Sequence, residues 1–100
     1  DIARTGITEG HRIGTIADTY NIPVAPHVGG GGILSVASTV EYSASCNNFM
    51  IMEHGHHAND HKNAITAAPY APKDGFFELT EKPGLGIEID QALVEKYLVS

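Results

Sequence analysis

The sequence predicts an α/β protein in which parallel strands alternate with helices. Two short apolar runs, at 23–26 and 49–52, are continuous rather than alternating, as in strands that are buried on both faces of a parallel sheet. Stretches with helical periodicity precede and separate these runs. Because the order is strand end, helix, strand, helix and strand, right-handed crossovers would place the strands side by side in one sheet.

The first strand end and helix are predicted within residues 1–20. Residues 1–6 have the pattern of a strand end with its loop, and Thr8 is suited to cap a helix near 8–20. Asn21 can close this helix, and Pro23 blocks its continuation. His11 is expected on the solvent side. The apolar positions fall at i, i+3, i+4 and i+7 and predict one buried stripe made of Ile13, Ile16, Ala17 and Tyr20.

The next strand-helix unit is predicted from strand 23–27 through a helix near 33–46 to strand 49–53. The glycine run 29–32 separates the first of these strands from the helix. Cys46 is expected to act as a buried small apolar side chain. The helix is apolar on one side and carries many small residues, which allow close packing against a sheet. Its apolar positions are Ile33, Val36, Ala37, Val40 and Ala44.

The rest of the chain is predicted to be less regular. Residues 54–73 show no helical or strand periodicity, so we expect a long loop that completes a first unit, 1–73. A C-terminal segment, 74–100, should hold a short strand at 76–79 and a terminal helix that Asp90 caps. Turn signals at 73–75 and 83–86 flank the short strand.

Charge and cysteine content exclude several classes of protein. With 12 acidic and 6 basic side chains the formal net charge is −6, which argues against a nucleic-acid or anionic-membrane partner. The single cysteine excludes an intrachain disulfide framework and fits a reducing, cytoplasmic setting. The apolar runs are far shorter than the ~18 residues of a membrane span. Because the chain opens on Asp1 in mid-pattern, we expect it to be a piece of a longer protein.

Three ionisable residues are predicted to meet at one edge of the sheet. His27 lies 26 residues after Asp1, and Glu53 lies 26 residues after His27, which is about the length of one strand-helix unit with its loops. Each residue would therefore lie at the end of a neighbouring strand. Histidine can move a proton near neutral pH, and a carboxylate on one imidazole nitrogen can orient the ring. We interpret His27 and Asp1 as a general-base dyad and Glu53 as a substrate contact.

Other interpretations of these three residues remain open. His27 can be a hydrogen-bonded core histidine and Asp1 a frayed terminus, while Glu53 can be a strand-end carboxylate that faces water. The equal spacing and the shared position at strand ends favour the functional interpretation.

Two further patterns carry weaker functional hypotheses. The glycine run can bring backbone amides close to a ligand, but a phosphate loop needs Lys and Ser or Thr after the last glycine, where this chain has Ile33 and Leu34. The histidines between 54 and 61 invite a metal hypothesis, but they lack the spacing of a zinc site and a cysteine. A solvated or substrate-facing loop is favoured. These histidines are His54, His56, His57 and His61.

Several motifs, taken in order, resemble the C-terminal part of a mandelate racemase-like member of the enolase superfamily. They are the segments 1–9, 22–27, 48–53, 74–75 and 83–90. The resemblance implies the last strands of a modified (β/α)7β TIM-type barrel, followed by a segment that returns to a capping domain. It also implies that Asp1 pairs with His27, and that Glu53 contacts the substrate.

The family reaction implied by this resemblance is removal of the proton α to a carboxylate, which gives an enediolate held on Mg²⁺. The acid-sugar dehydratases then lose the β-hydroxyl group, which makes a Mg²⁺-dependent sugar-acid dehydratase the favoured activity of the complete protein. The Mg²⁺ ligands are expected upstream of these residues, so the isolated chain should be inactive and unstable. The resemblance also leads us to expect a homo-oligomer. The alternatives are a racemase or cycloisomerase of the same superfamily and a noncatalytic segment of another α/β protein.

Overall fold

The computed structural model describes residues 1–55 and 64–99 and contains three helices in these ranges. Helix α1 spans Ile2–Thr19, α2 spans Gly32–Ser45 and α3 spans Gln91–Lys96. Helix α1 packs against α2. Strand pairing within the described ranges consists of isolated bridges, so fewer residues form strands than the sequence predicts. None of these helices is long and apolar enough to cross a membrane.

Helix α1 begins earlier than the sequence predicts. Residues 1–6 were expected to be a strand end and loop, with Thr8 as the helix cap, but Asp1 is itself the N-cap, and its side chain accepts a hydrogen bond from the backbone N of Ala3 at 3.1 Å. A carboxylate in this position satisfies an N–H group that has no partner within the helix. The backbone of Gly6 is non-helical, with φ 76° and ψ 162°, so a short first turn meets the main body of α1 at a kink.

The C-terminal end of α1 is closed at Asn21, as the sequence predicts. Asn21 adopts a left-handed φ of 55°. Its backbone N donates to the carbonyl of Asp18, and the backbone N of Ile22 donates to the carbonyl of Ala17, both at 2.9 Å. This pair of bonds is a Schellman motif. It turns the chain directly into the segment that begins at Pro23.

The face of α1 that contacts α2 includes two glycines. Gly10 and Gly14 are buried, and a Cβ atom at Gly10 would lie 3.2 Å from Cε2 of Tyr42. The aromatic ring of Tyr42 occupies the space that side chains would otherwise need. The prediction of a buried stripe was therefore wrong for three of its four residues, which are exposed: Ile13, Ile16 and Tyr20.

His11, which was expected on the solvent side of α1, also contacts α2. His11 is partly buried, its Nε2 lies 2.7 Å from the hydroxyl oxygen of Ser45, and its ring meets that of Tyr42 edge to face with centroids 6.0 Å apart. His11 therefore contributes to the contact between the two helices.

Helix α2 carries most of the core. It covers nearly the same residues for which periodicity predicts a helix. Thr39 is fully buried, and its hydroxyl group is satisfied in the core by donating to the carbonyl of Ser35 at 2.7 Å. Cys46, expected to be buried, is only partly so. The buried apolar side chains of the described residues are Ile2, Ile33, Val36, Ala37, Val40 and Tyr42.

The segments that precede His27 and Glu53 pair in parallel at Val24 and Phe49. The backbone N of Val24 donates to the carbonyl of Asn48, and the backbone N of Met50 donates to that of Val24, both at 2.9 Å. The side chain of Asn48 supports this pairing because its Nδ2 donates to the carbonyl of Ile22 at 2.8 Å. Both segments therefore run in the same direction and reach the same edge.

The C-terminal segment is tied to the chain by short contacts. Thr66 and Ile89 form an antiparallel bridge, and Asp90 caps α3 by accepting hydrogen bonds from the backbone N atoms of Ala92 and Leu93. Residues 76–79, predicted as a strand, do not form one. Instead, the positive φ angles of Asp74 and Gly75 close a tight turn.

Candidate active site

The imidazole of His27 lies between two carboxylates. Its Nδ1 is 3.5 Å from Oδ2 of Asp1, and its Nε2 is 3.2 Å from Oε2 of Glu53. The three residues that the sequence places at strand ends are therefore close neighbours in space. Asp1 reaches the site as the N-cap of α1.

The two oxygens of Asp1 have different partners. Oδ1 accepts a hydrogen bond from the backbone N of Ala3, while Oδ2 faces His27. A helix N-terminus favours negative charge, because its unpaired N–H groups and the helix dipole point toward the carboxylate. The cap therefore holds Asp1 in position, with Oδ2 directed toward His27.

Glu53 is held by backbone groups of the neighbouring segment. Its Oε2 accepts a hydrogen bond from the backbone N of Val28 at 3.1 Å, and its own backbone N donates to the carbonyl of Pro26 at 3.1 Å. The same oxygen thus faces both the amide of Val28 and Nε2 of His27. The amide of Val28 donates to this oxygen, and Nε2 can donate to it only when the imidazole is protonated there.

Solvent reaches the site from the side of His27. The side chains of His27 and Glu53 are 61% and 54% exposed, whereas that of Asp1 is 19% exposed. A neutral imidazole that donates from Nδ1 to Asp1 has its lone pair on Nε2, and an imidazolium donates to both carboxylates. The arrangement can therefore take up a proton at Nε2 and stabilise the cation that results.

Two backbone amides of the site were not identified from the sequence. The N–H groups of Ala3 and Val28 hold the carboxylates of Asp1 and Glu53, but an amide carries no residue-type signal. The Ala3 amide could be found only from a capping pattern, in which an acidic residue directly precedes a helix.

A mostly apolar cavity of about 690 Å³ is lined by residues other than the three of the site. Its wall includes Val40, Met50, His54 and Phe77, and neither His27 nor its two carboxylate partners line it. The convergent ionisable groups, rather than this cavity, identify the candidate active site.

The described residues do not form a metal site. No group of three or more His, Cys, Asp or Glu side chains within residues 1–55 and 64–99 is arranged to hold an ion. Of the four clustered histidines, only His54 is within these ranges, and its ring packs edge to face on Phe77 with centroids 5.3 Å apart. The other three, His56, His57 and His61, lie outside the described residues.

Comparison with known proteins identifies the family of this chain. The chain is a member of the enolase C-terminal domain-like family, whose model matches residues 1–93. This match confirms the family resemblance that the order of motifs in the sequence indicates.

Among curated relatives, two sugar-acid dehydratases match nearly the whole chain. The D-mannonate dehydratase of Caulobacter sp. strain K31 is 33% identical over 95 residues, which cover 92% of this chain and 23% of the relative. The D-galactonate dehydratase of Pectobacterium atrosepticum is 34% identical over 95 residues, which cover 89% of this chain and 25% of the relative. The chain thus spans about a quarter of the length of these relatives.

Solved structures show the same similarity. A protein described as a dehydratase from Salmonella enterica serovar Typhimurium superimposes with a TM-score of 0.82 at 33% identity, covering 95% of this chain and 24% of that one. A mandelate racemase/muconate lactonizing enzyme-like protein from Rubrobacter xylanophilus gives a TM-score of 0.79 at 28% identity, covering 92% and 24%. The fold of the chain is therefore that of a part of these enzymes.

Proposed function

We propose that this chain is the part of a sugar-acid dehydratase that carries the general base, His27. The observation that supports the proposal most strongly is the imidazole between Asp1 Oδ2 and Glu53 Oε2. The two dehydratase relatives, with 33% and 34% identity, suggest an aldonic acid as the substrate class.

In the proposed reaction, Nε2 of His27 removes the proton α to the substrate carboxylate. The electron pair of the C–H bond moves toward the carboxylate and forms an enediolate. This intermediate then expels the β-hydroxyl group, to which the His27 imidazolium returns a proton, so that water leaves. The remaining enol becomes a 2-oxo acid. Asp1 keeps the ring oriented and stabilises the imidazolium while it exists.

Glu53 is assigned to substrate binding. Its Oε2 now occupies the position next to Nε2, so a substrate that presents its α-proton to Nε2 must displace this oxygen or approach beside it. Once displaced, Glu53 can bind a substrate hydroxyl group, and the amide of Val28 can donate to a substrate oxygen.

Mg²⁺, which the family resemblance implies, does not fit the described residues, since they form no metal site. As the resemblance implies, we assign its ligands upstream of this chain and attribute to the described residues only proton transfer and substrate contacts. The proposal extends to the architecture: residues 1–73 belong to the end of a TIM-type barrel, and 74–100 return toward a capping domain. The complete enzyme is proposed to be a cytoplasmic homo-oligomer.

The test is exchange of the substrate α-proton with deuterated solvent in the complete enzyme, across a panel of sugar acids, for wild type and His27→Asn. We expect the wild type to exchange this proton and to form a 2-oxo acid from at least one substrate, and His27→Asn to do neither. Equal turnover by the variant would remove His27 from the mechanism. Exchange without loss of water would instead indicate a racemase, the second activity that the structural relatives suggest.

A further inference from the structure

We propose that Gly29 is a positioning residue, whose missing side chain allows the imidazole of His27 to stand between Asp1 and Glu53. The catalytic consequence of this inference rests on the proposed function, but its structural part does not. The three site residues carry the chemistry, and Gly29 leaves free the space that the ring occupies.

The space beside Gly29 is already filled by the imidazole. A Cβ atom added at this position would overlap Cε1 of His27 and would lie 2.9 Å from Nδ1 and 3.2 Å from Nε2. The edge of the imidazole that lies between the two carboxylates therefore also faces the Cα atom of Gly29. Even the smallest side chain, that of alanine, cannot coexist with the ring in its present place.

The backbone of Gly29 does not itself require glycine. Its φ lies outside the left-handed region, unlike those of Gly30 and Gly32, which are 151° and 64°. The φ of an alanine at position 29 is thus not strained, and the three atoms nearest to its Cβ all belong to the ring of His27. A substitution at this position therefore tests the effect of moving the ring without requiring a change in the backbone of the loop.

The ring, rather than the backbone, is expected to move. The imidazole is the far end of a side chain that turns about two bonds, and it is 61% exposed, so rotation toward solvent costs little stability. Such a rotation breaks the approach of Nδ1 to Asp1 and of Nε2 to Glu53. A displacement of about 1 Å in a reacting group can reduce turnover on the order of 100-fold.

Gly31 shows what a different kind of conflict would do. A Cβ atom there would lie 2.6 Å from Cβ of Ser35 and 3.1 Å from Cβ of Ala3. Cβ atoms cannot rotate away, so Gly31→Ala should lower stability. Gly29 and Gly31 therefore differ in function although they lie in the same glycine run.

The matched control is Gly55→Ala. Gly55 also has a φ outside the left-handed region, and an added Cβ meets nothing within 4 Å among the described residues. It lies close to Glu53 in the chain, so it tests for a general effect of replacing a glycine near the site.

The experiment compares wild type, Gly29→Ala, Gly55→Ala and His27→Asn in the complete enzyme, with steady-state kinetics, thermal unfolding and a crystal structure of Gly29→Ala. We expect kcat of Gly29→Ala to fall on the order of 100-fold with KM and Tm close to those of wild type, and the crystal structure to show the imidazole rotated away. Gly55→Ala should have the same kcat, KM and Tm as wild type.

A kcat of Gly29→Ala equal to that of Gly55→Ala, while His27→Asn is inactive, would overturn the inference and leave the proposed function intact. If the wild type acts on no sugar acid, the proposed function fails, and the crystal structure alone decides the role of Gly29. A displaced imidazole then supports the inference, and a ring in its wild-type place refutes it.

Discussion

Oδ2 of Asp1 lies 3.5 Å from Nδ1 of His27, while the other oxygen of Asp1 caps the first turn of α1. One side chain therefore serves the fold and the candidate site at once. Because the two functions use different atoms, substitutions can separate them.

Asp1→Asn in the complete enzyme is expected to reduce kcat by about 10²–10⁴-fold, since general acid–base catalysis contributes on this scale and the amide cannot stabilise an imidazolium. Stability should be unchanged, because asparagine caps helices as well as aspartate does. Asp1→Ala should lose the same activity and, in addition, about 1 kcal/mol of stability. Kinetics and urea unfolding of the two variants provide the check, and a wild-type kcat for Asp1→Asn would contradict the role of Asp1.

Glu53→Gln should lower kcat/KM by about 10–100-fold, as expected for the loss of a hydrogen bond to a charged group that is worth about 1.5–3 kcal/mol. The amide oxygen of glutamine can still accept from the backbone N of Val28, so the fold should be retained. Glu81→Gln, at an exposed carboxylate of the C-terminal segment, is the control. Steady-state kinetics that show no difference between the two variants would exclude Glu53 from substrate binding.

Asn48→Ala should destabilise the protein by about 1–3 kcal/mol, because each lost hydrogen bond contributes on the order of 1 kcal/mol. Nδ2 of Asn48 donates to the carbonyls of Gly14 and Ile22 at 3.2 and 2.8 Å and so joins α1 to the two paired segments. The control is Asn47→Ala, at the exposed neighbouring position. If urea unfolding places both variants at wild-type stability, Asn48 does not have this structural role.

The stability of the protein should fall between about pH 10 and pH 12 partly through Tyr42. Burial raises the pKa of Tyr42 to about 12, helped by the hydrogen bond and the charge of Cys46, whereas an unfolded chain releases the tyrosine proton near pH 10, to within about a unit. The folded state holds this proton more tightly, so its stabilising effect is complete below about pH 10 and is lost as the pH rises to about 12.

Urea unfolding at several pH values checks this effect of Tyr42. The stability of wild type should decline more steeply over this pH range than that of Tyr42→Phe. A difference absorbance titration should assign the late phenol ionisation to the same residue. Parallel pH profiles for wild type and Tyr42→Phe would contradict the prediction.

The isolated 100-residue chain is expected to associate and to show no turnover. Apolar side chains that the chain does not cover by itself favour aggregation, and so do paired segments with open edges. Sedimentation and dye binding test this expectation, and a monomer with a cooperative unfolding transition would contradict it. The exposed apolar side chains include Ile13, Ile16, Tyr20, Ile22, Phe49, Met50, Ile51, Phe76 and Leu79.

The sequence is sufficient to predict that three ionisable residues meet, because the length of a strand-helix unit determines which residues reach the same edge of a sheet. It is not sufficient to predict where α1 begins. The sequence indicates a cap at Thr8, whereas the hydrogen bond from the backbone N of Ala3 shows that Asp1 caps the first turn.

The buried face of α1 was mispredicted for a different reason. Hydrophobic periodicity detects a buried face only from its apolar side chains. Gly10 and Gly14 have no side chain, and Tyr42 of α2 fills the space beside them. Ile13 and Ile16 follow the helical period and are nevertheless exposed within this chain. A pattern of apolar residues indicates that one face of a helix is covered, but it does not identify the part of the protein that covers it.

Pro26 restricts how the segment before Glu53 can change during evolution. If regular parallel pairing continued from Val24, the amide of Met52 would donate to the carbonyl of Pro26. Instead, the amide of Glu53 donates to this carbonyl at 3.1 Å. Pro26 itself has no N–H group that could donate to the other segment. The position of Glu53 thus depends on the number of residues between it and the bridge at Phe49. Homologous proteins should therefore tolerate many substitutions between Phe49 and Glu53, whereas insertion or deletion of a single residue there would move the carboxylate away from His27.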